Sequence, residues 1–422
     1  MSQIVAMFPG QASQYVGMGK TLFVRHESVR QRFSKASEIL GFDLSELCFN
    51  GPSATLTQTE NTQPAILVLS VAMFEVAQKE GFQPSFLAGH SLGELSALTA
   101  SGVLDFEDAV RLARIRGEAM AACSTGIKTG MSAVTNVEAS QVEVIVAKLQ
   151  AEGYSVQIAN YNTPLQTVLS GSAEGLQSAG ERLVAIGGKV HPLNVSGAFH
   201  STFMSSAVER MVAAMEPMKF GDMSIPVMNG LEGRLYTKDD DIKSILAAQL
   251  TGPVRWTTVL DRLSEERIAL WLEMGPKDVL KKIGLQTFPD SKFYAYDDEA
   301  DNEASRTQLA AILQNKERLP NLVGLCLGAA VSTRNTNWDE AAYHKGVVEP
   351  YKNIQNLYDK AAKEGRTPNH EEMQEALALL RQIFMTKGIP PEEQFTRFSL
   401  LLKASETDRD FPEYLTTAKE GC

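Results

Sequence analysis

Phe86-Leu87-Ala88-Gly89-His90-Ser91-Leu92-Gly93-Glu94 is the stretch on which the fold turns. A short apolar run, Ser85 to Ala88, leads into a serine bounded by glycines, and a helix-like run from Leu92 to Ser101 follows. Strand, Gly-x-Ser-x-Gly, helix is the order of a nucleophile elbow. The glycines let the chain turn sharply, and the hydroxyl is then held at the carboxyl end of a strand beside a helix N-terminus. Ser91 is therefore read as a nucleophile.

The 422 residues are enough for two or three domains, and 44% hydrophobic with 22% charged content fits an ordinary globular enzyme. A net charge of −11 argues against a general nucleic-acid binder and against an anionic-membrane binder. Cys48, Cys123, Cys326 and Cys422 are scattered without CxxC spacing, which suits a reducing cytoplasm better than a disulfide framework or a zinc site. Met1 to Gly10 has neither a basic start nor a long apolar core, so no signal peptide is expected. The longest uncharged apolar run, Leu322 to Val331, is too short to span a bilayer. The expected location is cytoplasmic, with no bound cofactor or metal.

Working outward, Ile4 to Phe8 reads as a buried first strand broken by Pro9-Gly10-Gln11. Gly19-Lys20-Thr21 mimics the end of a phosphate-binding loop, but Gln14 stands where that loop needs its first glycine. Helices are expected over Glu27–Leu40 and Gln63–Glu80, with Pro64 in a first turn. Phe106 to Met120 carries small or apolar residues at 106, 110, 113, 117 and 120, the stripe of an amphipathic helix. Arg116 lies on the edge of that inward face and needs a partner. Between 131 and 193 the pattern is βαββαβ, the order of a ferredoxin-like domain. Further strands are expected at Ser224–Asn229 and Ala269–Met274. Acidic residues crowd Asp297 to Glu303, read as a linker, and a mostly helical segment follows. Its clearest helix opens at Asn369 with Glu372 placed for a capping box, and stops at Lys387-Gly388.

A serine nucleophile needs a base, and six histidines are available. His90 sits inside the elbow, where its side chain points away from that of Ser91. His200, in Gly197-Ala198-Phe199-His200-Ser201, follows the serine in the chain order of α/β-hydrolase-like sites.

Pro9-Gly10-Gln11-Ala12-Ser13-Gln14, Gly17-Met18-Gly19, Gly89-His90-Ser91-Leu92-Gly93-Glu94, Arg116-Gly117, Asn160-Tyr161-Asn162, the Gly197–Ser201 stretch and Gln249 ahead of Pro253-Val254-Arg255-Trp256 resemble, in order, malonyl-CoA:acyl-carrier-protein acyltransferases. The resemblance covers roughly residues 1–295 and implies that Ser91 is acylated with His200 as its base. It implies a main-chain carbonyl at Gln249 orienting the imidazole, and an oxyanion hole from the Leu92 amide and a group at Gln11. It places Arg116 on the free carboxylate of malonyl, and His90, Phe199, Asn160 and Asn162 around the substrate. Phe199 resembles the malonyl-selecting form, in which a ring crowds an α-methyl branch. Asn160 and Asn162 are equally good turn residues before Pro164, and Gln63 is near the site by resemblance but could be structural. Asn337-Trp338-Asp339 and Tyr343-His344-Lys345-Gly346 through Pro350-Tyr351 look like the tail of discrete, trans-acting acyltransferases of bacterial polyketide synthases.

The expected architecture is an α/β-hydrolase-like domain over 1–127 and 197–295, a ferredoxin-like subdomain over 128–196, a linker at 296–303 and a helical extension over 304–422. The expected reaction is ping-pong transfer of malonyl from malonyl-CoA to the phosphopantetheine thiol of an acyl carrier protein, supplying a polyketide or fatty acid synthase in trans. Polyketide synthase subunits, met through the extension, are a further expected partner; nucleic acid and membrane are not. Two rivals are a thioester hydrolase on the same fold, which Arg116 disfavours, and a non-catalytic docking protein, which intact Ser91, His200 and Arg116 disfavour.

Overall fold

A computed structural model describes residues 3–124, 128–195, 197–318 and 320–415. The expected boundaries at 127 and 196, the end of the extension and Cys422 lie outside the described residues. The chain divides into two compact units, Gln3–Leu309 and Ala310 onward.

Among the described residues, the first unit carries ten strands: β1 (Gln3–Phe8), β2 (Phe86–Gly89), β3 (Thr129–Thr135), β4 (Val156–Thr163), β5 (Gln166–Ser172), β6 (Lys189–Pro192), β7 (Met228–Asn229), β8 (Arg234–Leu235), β9 (Ile268–Glu273) and β10 (Phe293–Ala295). One parallel sheet has the order β10-β9-β1-β2. In it Phe8 pairs with Gly89 and Met7 with Glu273, so three strands end at one edge. Helices cover such a sheet on both faces, which is why β1 is buried from Ile4 to Phe8 and reads as an unbroken apolar run. Trp256, Trp271 and Phe293 fill one side, with the last two rings stacked at 5.0 Å.

The second sheet is antiparallel, in the order β4-β5-β3-β6. Helices Ala139–Ala151 and Ala173–Ala185 pack on it through Val142, Val146, Leu149, Ala179 and Leu183. Its edge strand is tied to the rest of the unit: the Val254 amide donates to Ala159 O (2.8 Å) and the Tyr161 amide to Val254 O (2.9 Å).

Three expectations are corrected. Helix Thr59–Lys79 starts a turn before Gln63, so Pro64 lies inside it. Pro64 cannot donate to the Glu60 carbonyl four residues earlier. Arg114 Nη1 donates to that carbonyl instead, at 3.2 Å. Only Met228–Asn229 of the run 224–229 forms a strand, because Pro226 has no N–H and offers only its carbonyl, which accepts from the Leu87 amide at 2.9 Å. The acidic stretch read as a linker opens the 20-residue helix Glu299–Arg318. Acidic side chains stabilise a helix N-terminus, and Asp298 accepts from the Asp301 amide at 2.9 Å.

In the second unit, helices Leu322–Ser332, Glu349–Lys363, His370–Thr386 and Pro391–Ala404 bury their apolar faces on one another around Leu380, Phe384 and Phe398. The capping box of Asn369 and Glu372 is formed. Among the described residues, Cys48, Cys123 and Cys326 are free thiols, and no helix is long and apolar enough to cross a membrane.

Candidate active site

The elbow forms where β2 ends. Ser91 has φ 55° and ψ −109°, a region in which a side chain is strained, and the helix Leu92–Ala100 starts at the next residue. Glycine is obligatory on both sides of it. A Cβ at Gly89 would lie 2.1 Å from the Gly93 carbonyl, and one at Gly93 would lie 1.9 Å from the Phe8 carbonyl oxygen. The loop after β1 is pressed onto the elbow in the same way, with a Gly10 Cβ position 2.6 Å from His90 O. Gln11 Nε2 in that loop donates to Thr59 Oγ1 at 3.2 Å. The Leu92 amide, first in its helix, has no intrahelical acceptor.

Ser91 Oγ donates to His200 Nε2 at 2.7 Å. His200 Nδ1 is 2.8 Å from the carbonyl oxygen of Gln249. A carbonyl only accepts, so Nδ1 carries the proton and the Nε2 lone pair faces the serine. Gln249 caps the C-terminus of the helix Ile242–Ala248, where carbonyls lack intrahelical donors. Burial, then the nearby Arg116 charge, push the imidazole pKa down to about 3. His200 is therefore neutral at neutral pH.

Arg116 is only 2% exposed. Its Nη1 donates to Gln63 Oε1 (2.8 Å), and its Nη2 to Gln249 Oε1 (3.0 Å) and Ser91 Oγ (3.3 Å). All three partners are uncharged. Burial lowers the guanidinium to about 10, with the Glu94 charge opposing that shift, so it stays protonated at neutral pH.

Behind this triangle Gln249 Nε2 donates to Glu94 Oε2 at 2.6 Å, and the same oxygen accepts from the Gly230 amide at 3.1 Å. Glu94 Oε1 accepts from the Tyr236 hydroxyl. Burial raises the Glu94 carboxyl to about 7.

The other expected residues are gathered at the seam of the two sheets. His90 Nε2 and Asn162 Oδ1 are 3.0 Å apart, and Asn162 Nδ2 donates to Gln166 Oε1 at 3.1 Å. Asn160 is buried on β4 where that strand pairs with Val254, and Phe199 is buried beside His200. Gln63, left open by its sequence context, sits on Arg116. The sequence reading missed Glu94 and Tyr236 and the use of the Gln249 side chain. One signal was legible: Glu94 is the only charged residue between Leu92 and Ser101.

Residues 5–332 match the Acyl transferase domain family. The chain is 40% identical over 281 residues to the malonyl CoA-acyl carrier protein transacylase of Bacillus subtilis strain 168, covering 66% of this chain and 89% of that one. A second Bacillus subtilis protein of the same name aligns at 32% identity over 93% of this chain and 99% of its own length. The polyketide biosynthesis protein ThaF of Burkholderia thailandensis is 39% identical over 66% of this chain, which spans 24% of that larger protein. Among solved structures, the malonyl CoA-acyl carrier protein transacylase of Clostridium perfringens superposes with a TM-score of 0.72 at 33% identity, covering 75% of this chain and all of that one. A malonyl-transacylase in complex with a type II polyketide synthase acyl-carrier protein superposes with a TM-score of 0.68 at 35% identity, covering 71% and 97%. An α/β chain that carries a strained serine on a histidine beside a buried arginine, and that matches this family over most of its length, belongs to the acyl transferase domain family.

Proposed function

We propose that this chain transfers a malonyl group from malonyl-CoA, through an acyl-enzyme on Ser91, to the phosphopantetheine thiol of an acyl carrier protein. The observation that carries this reading is the convergence of His200 Nε2 at 2.7 Å and Arg116 Nη2 at 3.3 Å on one serine oxygen. A base and a fixed cation at the same nucleophile suit a thioester that bears a carboxylate at its far end.

The Ser91 proton passes to His200 Nε2 as Oγ attacks the thioester carbonyl. Negative charge grows on the carbonyl oxygen, where fixed N–H donors lower the barrier. The Leu92 amide supplies one donor and a group at Gln11 a second, the Gln11 NH2 keeping one N–H beyond the bond it gives Thr59. Collapse breaks the C–S bond, and the proton on His200 goes to the leaving thiolate of coenzyme A. In the second half the carrier thiol gives its proton to His200 and attacks the ester, and Ser91 recovers the proton as it leaves. Arg116 holds the malonyl carboxylate in a planar, two-pronged fit that lysine would not reproduce. Its charge also depresses His200, so an arriving carboxylate, by offsetting that charge, makes the imidazole a better base when substrate is bound. Phe199 crowds a branched α-carbon, while His90, Asn162 and Asn160 line the acyl-bearing side of the cleft.

The finer architecture we assign is an α/β-hydrolase-like domain interrupted by a ferredoxin-like subdomain, with a helical extension. The β4-β5-β3-β6 order and the βαββαβ succession support the subdomain. Supply of a polyketide synthase in trans is supported by the similarity to ThaF, and the near full-length alignment to the second Bacillus subtilis transacylase carries the extension into a relative of that name; we assign the extension to contact with synthase subunits.

Intact-protein mass after mixing with malonyl-CoA tests the chemistry. A malonyl adduct on the wild type, absent from Ser91→Ala and discharged by a holo-carrier protein, is expected. Steady release of coenzyme A without an adduct would establish a hydrolase instead.

A further inference from the structure

The buried carboxylate of Glu94 hydrogen-bonds to Gln249, Gly230 and Tyr236, and none of these partners is a reacting atom. Gln249, like the nucleophile Ser91, touches both halves of the site. Its main-chain carbonyl faces His200 Nδ1, and its side-chain Oε1 accepts from Arg116. A side-chain amide fits its space in two orientations half a turn apart, and its neighbours decide between them. Here one neighbour is a guanidinium, which only donates; on the other side are an oxygen of Glu94, already accepting from the Gly230 amide, and at 3.4 Å the main-chain carbonyl of Ser91, which also only accepts. With Nε2 on Glu94 Oε2 and Oε1 on Arg116, every contact pairs a donor with an acceptor. The flipped amide would set donor against donor and acceptor against acceptor.

We infer that Glu94 is a positioning residue for selection of the acyl group: it locks the Gln249 amide so that Oε1 faces Arg116, and so aims the guanidinium at the substrate carboxylate. This rests on the reading of Arg116 given under the proposed function. The neutral amide between the two charges is essential to the arrangement. A carboxylate in direct contact with Arg116 would occupy the N–H fork that the malonyl carboxylate needs. Held one residue away, Glu94 fixes the direction of the guanidinium and leaves that fork to the substrate. Tyr236 and the Gly230 amide hold Glu94 in turn. A proton on Oε1 would leave Oε2 an acceptor, so the lock depends on hydrogen-bond direction and not on net charge.

The test is single-turnover acylation of the full chain by malonyl-CoA and by acetyl-CoA at neutral pH, with folding checked by circular dichroism and thermal melting. Wild type should prefer malonyl-CoA. Glu94→Ala should lower the malonyl-over-acetyl ratio of kcat/KM by roughly 10- to 100-fold, the span for one lost hydrogen bond to a charged group. Glu94→Gln should stay close to wild type, because its carbonyl oxygen can take the place of Oε2 and its NH2 can donate to the Tyr236 hydroxyl. In an Arg116→Ala background, Glu94→Ala should leave the ratio unchanged. A folded Glu94→Ala with the wild-type ratio overturns the inference, as does Glu94→Gln falling as far as Glu94→Ala. If Glu94→Ala does not fold, Gln249→Leu carries the test: it keeps the main-chain carbonyl, should lose the ratio in the same way, and overturns the inference if it does not. A wild type without malonyl preference would refute the Arg116 reading itself, whereas wild-type preference with an unchanged Glu94→Ala refutes only the role of Glu94.

Discussion

Arg116→Ala separates selection from chemistry, and its size can be worked from the contacts. The guanidinium is held by Gln63 and Gln249 and points at the Ser91 hydroxyl, so a malonyl carboxylate on Ser91 meets it in a site that excludes most water. Each hydrogen bond to a charged group contributes about 1.5–3 kcal/mol, so loss of a two-pronged contact costs about 3–6 kcal/mol before water refills the space. Water entering the vacated volume recovers part of this, which leaves a fall of about 10²–10³ in kcat/KM for malonyl-CoA. Acetyl-CoA makes no use of the fork. Its acylation rate should hold or rise, since the positive charge that depresses His200 is gone. Quenched-flow mass spectrometry of the Ser91 adduct with each donor gives both rates. An unchanged malonyl-over-acetyl ratio in a folded variant would refute the argument, because the carboxylate would then be bound elsewhere.

Three further outcomes are expected. The imidazole, depressed to about 3, stays neutral and available as pH falls, and is lost as a base only when pH drops through that low value. Acylation by acetyl-CoA should therefore be nearly flat from about pH 7.5 to 5.5, where an unshifted histidine would lose about tenfold, and Arg116→Ala should move the acid limb upward; a wild-type limb near 6.5 would contradict the burial argument. Gly93→Ala forces a Cβ to 1.9 Å from the Phe8 carbonyl oxygen, so it should abolish the elbow, with loss of the acyl adduct and a destabilisation above roughly 2 kcal/mol by denaturant melting; a normal adduct would show that the elbow can shift. Phe384→Ala removes a fully buried ring packed 5.4 Å from Phe398, and should cost the helical unit about 3–5 kcal/mol, read as faster proteolysis within 322–415 while Ser91 still acylates.

Ser91, His200 and Arg116, which meet in the structure, stood out in the sequence because each is announced locally. The elbow is built within five residues, Gly197 to Ser201 is a short small-residue loop, and Arg116 is a charge on the edge of an apolar stripe. The second sheet was legible for a similar reason, since alternating strand and helix periods run consecutively through it. Pro64 and the acidic run at 297–303 were misplaced because each has two local readings. Proline suits a first turn but is tolerated deeper when another donor takes the freed carbonyl, and that donor, Arg114, lies 54 residues away. Acidic side chains fit a solvated linker and a helix start equally well.

What no local pattern could supply is the partnership behind the nucleophile. Gln249 and Glu94 are 155 residues apart, and Tyr236 is 142 residues from Glu94. A hydrogen bond carries no trace in the chain of which distant group completes it. Local chemistry therefore singled out Ser91, His200 and Arg116, which the fold brings into contact. Only the packing of the helix Leu92–Ala100 against the segments around Gly230 and Gln249 decided which way one amide faces, and with it the aim of Arg116, because that direction is set by donors and acceptors brought together after the chain has folded.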